Sequence, residues 1–89
     1  MEKWSLEFTK AAERDFTRLN KVIQLRVLHK IEWLQDNFEL TFPTQLHGEF
    51  KGLYRLRIGE WRVVYSVERD ARLIVIHLIG KRDKIYKDR

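Results

Sequence analysis

The sequence predicts an α+β fold in which two helices pack on one face of a small antiparallel sheet. A short segment of alternating residues opens the chain, and two segments with helical spacing follow, ending near residue 38. From residue 54 onward, apolar and polar residues alternate again. The chain has 89 residues, so we expect residues 1–89 to form a single domain around one core.

The first strand and the first helix are predicted in residues 4–19. Apolar and polar residues alternate from Trp4 to Phe8, as in a half-buried strand. Thr9 follows as a candidate N-cap, because its hydroxyl can accept hydrogen bonds from free backbone N–H groups. Helical spacing then places three apolar residues on one face: Ala12, Phe16 and Leu19.

The second helix is separated from the first by a short interruption at Asn20-Lys21. Its apolar stripe extends to about residue 38 and consists of Ile23, Val27, Ile31, Leu34 and Phe38. So short a connection predicts an antiparallel helical hairpin. Pro43 disfavours helix at the residue before it, and residues 45–52 are interpreted as a loop. The tryptophans are interpreted as core residues: Trp4, Trp33 and Trp61.

Three antiparallel strands are predicted in the second half of the chain. Two alternating runs, at residues 54–58 and 61–67, flank Gly59-Glu60, which indicates a hairpin with a type II′ turn. Residues 73–79 are apolar on both faces apart from His77, so we expect an inner strand. His77 itself is interpreted as a buried, hydrogen-bonded side chain.

The hairpin register predicts a cluster of arginines on the face of the sheet away from the helices. With Gly59 and Glu60 as the loop, Arg57 lies opposite Arg62, and Arg55 lies on the same face. Like charges directly opposed cost on the order of several tenths of a kcal/mol, so the pattern favours an anionic ligand that offsets this cost. The alternative is that three guanidinium groups are simply solvated on an open face.

Composition narrows the classes of function. The formal charge is +5, and residues 45–89 carry the excess, with eleven Lys and Arg against six Asp and Glu. This is typical of a surface that binds nucleic acid or an acidic partner, although a basic surface can also serve solubility alone. Without cysteine and with three scattered histidines, we expect no metal site and no cofactor. The sequence shows no export signal or membrane span, so we expect a soluble, cytoplasmic protein without a membrane partner.

Several separated motifs resemble those of a known superfamily of toxins. They are Leu46-His47-Gly48, the run from Gly52 to Tyr65, the segment Leu78-Ile79-Gly80-Lys81-Arg82, and Ile85-Tyr86. Together they resemble the RelE/ParE superfamily of type II toxin–antitoxin toxins, and among these the RelE-type mRNA interferases. The resemblance implies a RelE-like fold with an N-terminal strand, a two-helix hairpin and a three-stranded meander in one sheet. It also implies a cognate antitoxin, an acidic protein that folds on binding.

The resemblance implies a set of site residues. The catalytic residues it implies are Arg55, Arg57, Arg62, Arg82 and Tyr86. Three lysines are expected to bind the RNA backbone: Lys51, Lys81 and Lys84. The strand positions that are lysine in RelE are arginine here, and arginine cannot lose a proton to act as a general base. The general base therefore stays open, the candidates being a ribosomal group or Tyr86, Lys84, Lys81 and His77.

Three functions are compatible with this resemblance. A RelE-type toxin cleaves mRNA in the ribosomal A site, and without a carboxylate cluster for Mg²⁺ we expect a metal-independent attack by the 2′-hydroxyl. A ParE-type toxin instead inhibits DNA gyrase by binding it. The third is an RNA-binding module that has lost catalysis through the changes from lysine to arginine.

Overall fold

The computed structural model describes residues 3–40, 44–46 and 52–81. The elements in these ranges are strand β1 (Ser5–Phe8), helix α1 (Lys10–Arg18), helix α2 (Lys21–Asp36), a short 3-10 helix (Phe38–Leu40), and strands β2 (Thr44–Gln45), β3 (Tyr54–Ile58), β4 (Trp61–Glu68) and β5 (Leu73–Lys81). The predicted α+β class and the order of strand, helices and meander are confirmed. No helix in the described ranges has the length and hydropathy needed to cross a membrane.

The strands form one five-stranded sheet in the order β1-β5-β4-β3-β2. Strands β3, β4 and β5 make the predicted antiparallel meander, and β1 lies parallel to β5. Strand β2 pairs with the other edge of the meander, with Thr44 opposite Arg55. Gln45 therefore belongs to a strand, and the prediction of a loop from residue 45 is wrong at that position. A strand of two residues is too short to show an alternating pattern in the sequence.

Both helices begin at side-chain caps. The Thr9 hydroxyl accepts a hydrogen bond from the backbone N–H three residues later at 3.1 Å, as predicted. The side-chain oxygen of Asn20 caps α2 by accepting from the backbone N–H of Ile23 at 3.0 Å. The Gln24 side chain donates to the backbone oxygen of Phe16 at 2.9 Å, which ties the first turn of α2 to the last turn of α1. These local bonds fix where the chain changes direction between the helices.

The main core lies between the helices and one face of the sheet. Its most deeply buried large side chains come from α2, β4 and β5: Val27, Ile31, Leu34, Val63, Tyr65, Ile74 and Ile76. Helix α2 ends before the predicted residue 38, but Phe38 remains buried and its ring centroid lies 4.5 Å from that of Trp4. Trp33 is 45% exposed, so its assignment to the core is wrong. Helical spacing places it beside, and not within, the stripe that packs on the sheet.

Helix α1 covers the part of β5 that β1 leaves unpaired. Strand β1 ends opposite Ile76, whose backbone oxygen also accepts from the N–H of Thr9 at 3.0 Å. Further along, the Thr9 hydroxyl donates to the backbone oxygen of His77 at 3.3 Å. The backbone N–H of Ile79 donates to the Asp15 carboxylate at 3.0 Å. These contacts satisfy backbone groups that an open strand edge would expose.

Candidate nucleic-acid interface

The β3–β4 hairpin positions the predicted arginines, and its register is the predicted one. Arg57 pairs with Arg62, and Arg55 pairs with Val64. Gly59 has a φ of 61°, and it is the loop residue that needs positive φ in a type II′ turn. Glycine adopts this conformation without the steric cost that a Cβ would bring. The turn therefore fixes which side chains share a face.

The hairpin separates an apolar face from a basic one. The residues packed toward the helices are Tyr54, Leu56, Ile58, Trp61, Val63, Tyr65 and Val67. Because side chains alternate along a strand, Arg55, Arg57 and Arg62 lie on the opposite side. We call this side, formed by β3, β4 and β5 and turned away from the helices, the outer face.

The three arginines of the outer face differ in exposure. Arg57 is exposed, Arg55 is half-buried, and Arg62 is only 4% exposed. The expectation that all three are displayed together is therefore wrong for Arg62. Its Nη1 atom donates to the backbone oxygens of Gly59 and Trp61, both at 3.1 Å. The side chain thus folds back onto the turn instead of extending into solvent.

The backbone oxygen of Gly59 brings two guanidinium groups together. It accepts from Nη1 of Arg62 at 3.1 Å and, more weakly, from Nε of Arg57 at 3.5 Å. A carbonyl oxygen carries partial negative charge, so these bonds offset part of the repulsion between two opposed cations. Within residues 3–40, 44–46 and 52–81, no carboxylate forms an ion pair with Arg57 or Arg55. Both positive charges therefore remain available to an anion.

A small apolar cluster interrupts the outer face. Leu46 and Val64 are buried in it, and Leu53 and Leu78 pack against them. This cluster was not predicted, although Val64 is an apolar residue at an outward position of an alternating strand. It separates Arg57 and Arg62, near the turn, from the polar residues farther along β4 and β5, and Arg55 pairs directly with Val64 at its edge.

His77 lies beyond this cluster. A β-bulge between Val64 and Tyr65 leaves His77 without a directly opposite residue on β4. Its Nε2 atom shares a hydrogen bond of 2.8 Å with the hydroxyl of Ser66, and the ring is half-buried. The interpretation of a hydrogen-bonded histidine therefore holds, but the burial is partial.

Of the other predicted site residues, only Lys81 and His77 lie in the part of the chain that the structure describes. Lys81 is exposed, and its Nζ atom lies 5.7 Å from the centroid of the Trp61 ring. Because Trp61 belongs to the helix-facing side, Lys81 approaches the hairpin from the side opposite Arg57. Four predicted residues lie outside the described residues: Lys51, Arg82, Lys84 and Tyr86.

Burial dominates the titration behaviour of the core beneath the hairpin. It raises the pKa of Tyr65 to about 12, with a smaller contribution from Tyr54. Tyr65 therefore stays neutral even at pH values where an exposed tyrosine would ionise, which suits its role in packing. Among the described residues, no group of three or more His, Asp or Glu side chains is arranged to hold a metal ion.

The approach of Arg26, on α2, to the hairpin could not be predicted from the sequence. A Cβ atom built on Gly59 would lie 3.0 Å from Nη2 of Arg26. In the sequence, Arg26 is one of several polar residues between the apolar positions of α2. Contact with a turn more than thirty residues away has no local signal, so only the packing of α2 on the sheet reveals it.

Family membership follows from comparison with known proteins. A family model for the ParE toxin of the type II toxin-antitoxin system parDE matches residues 6–86. The chain therefore belongs to this family and is a type II toxin of the RelE/ParE superfamily, as its motifs indicated. A putative RelE1 toxin of Methanocaldococcus jannaschii is 47% identical over 36 residues. That match covers 40% of this chain and 40% of the archaeal protein.

Solved toxin structures share the fold. The chain matches the RelBE2 toxin–antitoxin complex of Mycobacterium tuberculosis with a TM-score of 0.80 at 24% identity, over 91% of this chain and 100% of the other. It matches the isolated RelE toxin of E. coli with a TM-score of 0.74 at 16% identity, over 96% of this chain and 93% of the other. At these identities the likeness concerns the fold, and the predicted RelE-like fold is confirmed.

Proposed function

We propose that this toxin is a ribosome-dependent mRNA endoribonuclease that arrests translation in the cytoplasm. The observation that carries the proposal is the convergence of Arg57 and Arg62 on one backbone oxygen at a rigid turn. Planar guanidinium groups match the geometry of phosphate oxygens, and a site held by backbone pairing is fixed before RNA arrives. The RelE-like fold supports the same assignment.

In the proposed reaction, the 2′-oxygen attacks the adjacent phosphorus and the bond to the 5′-oxygen breaks. A base takes the proton of the 2′-hydroxyl, and an acid returns a proton to the leaving 5′-oxygen. Arg57 binds the non-bridging oxygens, where negative charge grows in the transition state. Arg62 holds the turn through its hydrogen bonds to Gly59 and Trp61 and adds its positive charge next to the bound phosphate. Arg55 positions the RNA backbone farther along β3. Arg82 and Tyr86 would act at the leaving group and at the base or 2′-hydroxyl.

The position of His77 argues against it as the general base. Arg62 lies opposite Gly80, and His77 is three residues farther along β5, roughly 10 Å at the rise of a strand. The apolar cluster around Val64 lies between them. A base must come within hydrogen-bonding distance of the 2′-hydroxyl next to the bound phosphate. The same criterion counts against Lys81, whose Nζ lies over Trp61 on the side of the hairpin opposite Arg57. Tyr86, Lys84 and a ribosomal group therefore remain as the candidates.

Mapping mRNA 5′ ends after induced expression tests this function. We expect new ends within translated codons for the wild type and strongly reduced cutting for Arg62→Ala and Tyr86→Phe, expressed separately. Arg14→Ala is the matched control because Arg14 is an exposed arginine on α1, away from the hairpin. Undiminished growth arrest and cleavage in both site variants would overturn the assignment of the site.

Gyrase inhibition is a second candidate, favoured by one observation: the family model that matches residues 6–86 is that of the ParE toxin. In this case the arginines would serve protein binding and would not be needed for chemistry. DNA damage after induction, without new mRNA ends, would support this candidate. An RNA-binding module without catalysis would show neither effect.

We also propose that a cognate antitoxin neutralises the toxin by covering the basic hairpin. The M. tuberculosis structure that shares this fold is itself a toxin–antitoxin complex. An acidic segment that folds on binding would neutralise Arg55 and Arg57, for which the described residues provide no carboxylate partner. Mixing the purified toxin with its antitoxin should abolish RNA binding, and an unchanged affinity in the complex would contradict this arrangement.

A further inference from the structure

The hairpin turn is approached by a cation from the helix side as well as from the outer face. Nη2 of Arg26 lies 3.0 Å from the position that a Cβ on Gly59 would occupy. Arg57 and Arg62 donate to the backbone oxygen of the same glycine. Three guanidinium groups, from α2, β3 and β4, therefore surround one residue.

The turn is built so that Arg26 can come this close. Gly59 has a φ of 61°, a conformation that residues with a Cβ rarely adopt. A side chain at this position would also press against the guanidinium of Arg26. The glycine thus serves the hairpin and leaves space for the arginine of α2 at the same time.

Arg26 has no partner in the described part of the chain that would explain its position. It is exposed, and no carboxylate within residues 3–40, 44–46 and 52–81 pairs with it. This includes the carboxylate of Glu60, which follows Gly59 in the turn. One helical turn later, the Nζ atom of Lys30 lies 4.3 Å from the centroid of the Trp33 ring, which is a favourable cation–π contact. The two cations of α2 therefore differ: Lys30 is satisfied within the helix, whereas Arg26 extends toward the turn.

We propose that Arg26 binds the RNA backbone together with Arg57, so that the bound strand crosses the tip of the hairpin from the outer face to α2. The inference rests on the proposed RNA substrate and extends its binding surface to a helix. Arg26 and Arg57, which have no carboxylate partner within the described residues, repel one another where they approach the same turn, and a phosphodiester backbone removes that repulsion. Lys81, which lies over Trp61 on the same side as α2, continues this basic path.

Binding of a fluorescent single-stranded RNA, measured by anisotropy over a range of salt concentrations, tests the proposal. For Arg26→Ala we expect affinity to fall about tenfold and the slope of log K against log salt to become shallower by about 0.7, the value for one phosphate contact on a single strand. Arg26→Lys should keep the slope, because it retains the charge. Lys30→Ala is the matched control, since it removes one positive charge from the same helix. Circular dichroism and the melting temperature establish that each variant is folded.

The outcomes separate this inference from the proposed function. If Arg26→Ala binds RNA as the wild type does, or if Lys30→Ala loses as much affinity, the inference is overturned. If the expected losses appear but the wild type makes no cuts in translated mRNA, Arg26 is an RNA-binding residue and the proposed nuclease activity fails. If the wild type binds no free RNA, the inference is overturned, whereas the ribosome-dependent cleavage is still judged by the mapping of mRNA 5′ ends.

Discussion

The helix-facing side of the sheet and the outer face are built from the same strands, but the first buries the main apolar core and the second a small apolar cluster beside arginines. Toward the helices, the side chains of Val63, Ile74 and Ile76 are completely buried in the main core. On the outer face, Val64 is equally buried but belongs to a cluster of four residues, with Arg55 and Arg57 beside it.

The difference shows how a small toxin divides its surface. A chain of this size buries only a limited amount of apolar surface on folding, so its main core occupies one face of the sheet. Cations can then be held on the other face at fixed positions, since the backbone pairing of β3 and β4 does not depend on them. Stability is therefore carried by the helix-facing side and the proposed anion binding by the outer face of the same hairpin, so variants should separate the two.

The largest expected loss of stability comes from the helix-facing core. Ile31→Ala removes a completely buried side chain and should lower the free energy of unfolding by about 2–5 kcal/mol, measured by urea denaturation. Val22→Ala, on the same helix but 67% exposed, should change it by less than about 0.5 kcal/mol. Equal losses in the two variants would contradict the assignment of this core.

Substitutions on the outer face should reduce mRNA cleavage without lowering the stability of the fold. Arg57→Ala removes an exposed guanidinium and should reduce mRNA cleavage on the order of 100-fold, by analogy with the loss of one transition-state donor. The melting temperature should match that of Arg14→Ala, which should also retain wild-type cleavage. Cleavage within a few-fold of the wild type in Arg57→Ala would remove Arg57 from the site.

The buried phenol of Tyr65 should make the helix-facing side sensitive to alkaline pH. Its pKa is about 12 in the folded protein and 10.0 in the unfolded chain, so between these values the unfolded chain binds fewer protons. Stability is therefore complete below pH 10 and falls as the pH rises toward 12, by on the order of 2 kcal/mol. Tyr65→Phe should lack this loss. Parallel stability curves for the wild type and the variant above pH 10 would contradict the prediction.

The smallest expected effect is the difference in stability between alanine variants of two neighbouring valines on β4. Val63 and Val64 are both completely buried, but Val63 belongs to the main core and Val64 to the small outer cluster. We expect Val63→Ala to lower the free energy of unfolding by about 1 kcal/mol more than Val64→Ala, because a small cluster can collapse around a deletion more easily. A reversed order would show that the outer cluster contributes more to stability than its size indicates.

Much of the fold was predictable because its signals are local. The cap at Thr9, the interruption at Asn20-Lys21, the two-residue turn and the alternation along β3 and β4 each lie within a few residues of sequence. Strand β2 was missed because it is too short for a pattern, and Trp33 was misassigned because residue type alone does not say which side of a helix faces the core.

The sequence by itself determined the order of the helices and of every strand except β2, the register of the hairpin and the set of arginines on one face. It could do so because a strand repeats every two residues and a glycine turn sets the pairing on both sides of it. Only the tertiary structure decided that Arg62 folds back onto Gly59 and that Arg26 arrives from α2. Both depend on contacts that form only when separate elements pack together, and such contacts produce no periodic pattern in the sequence.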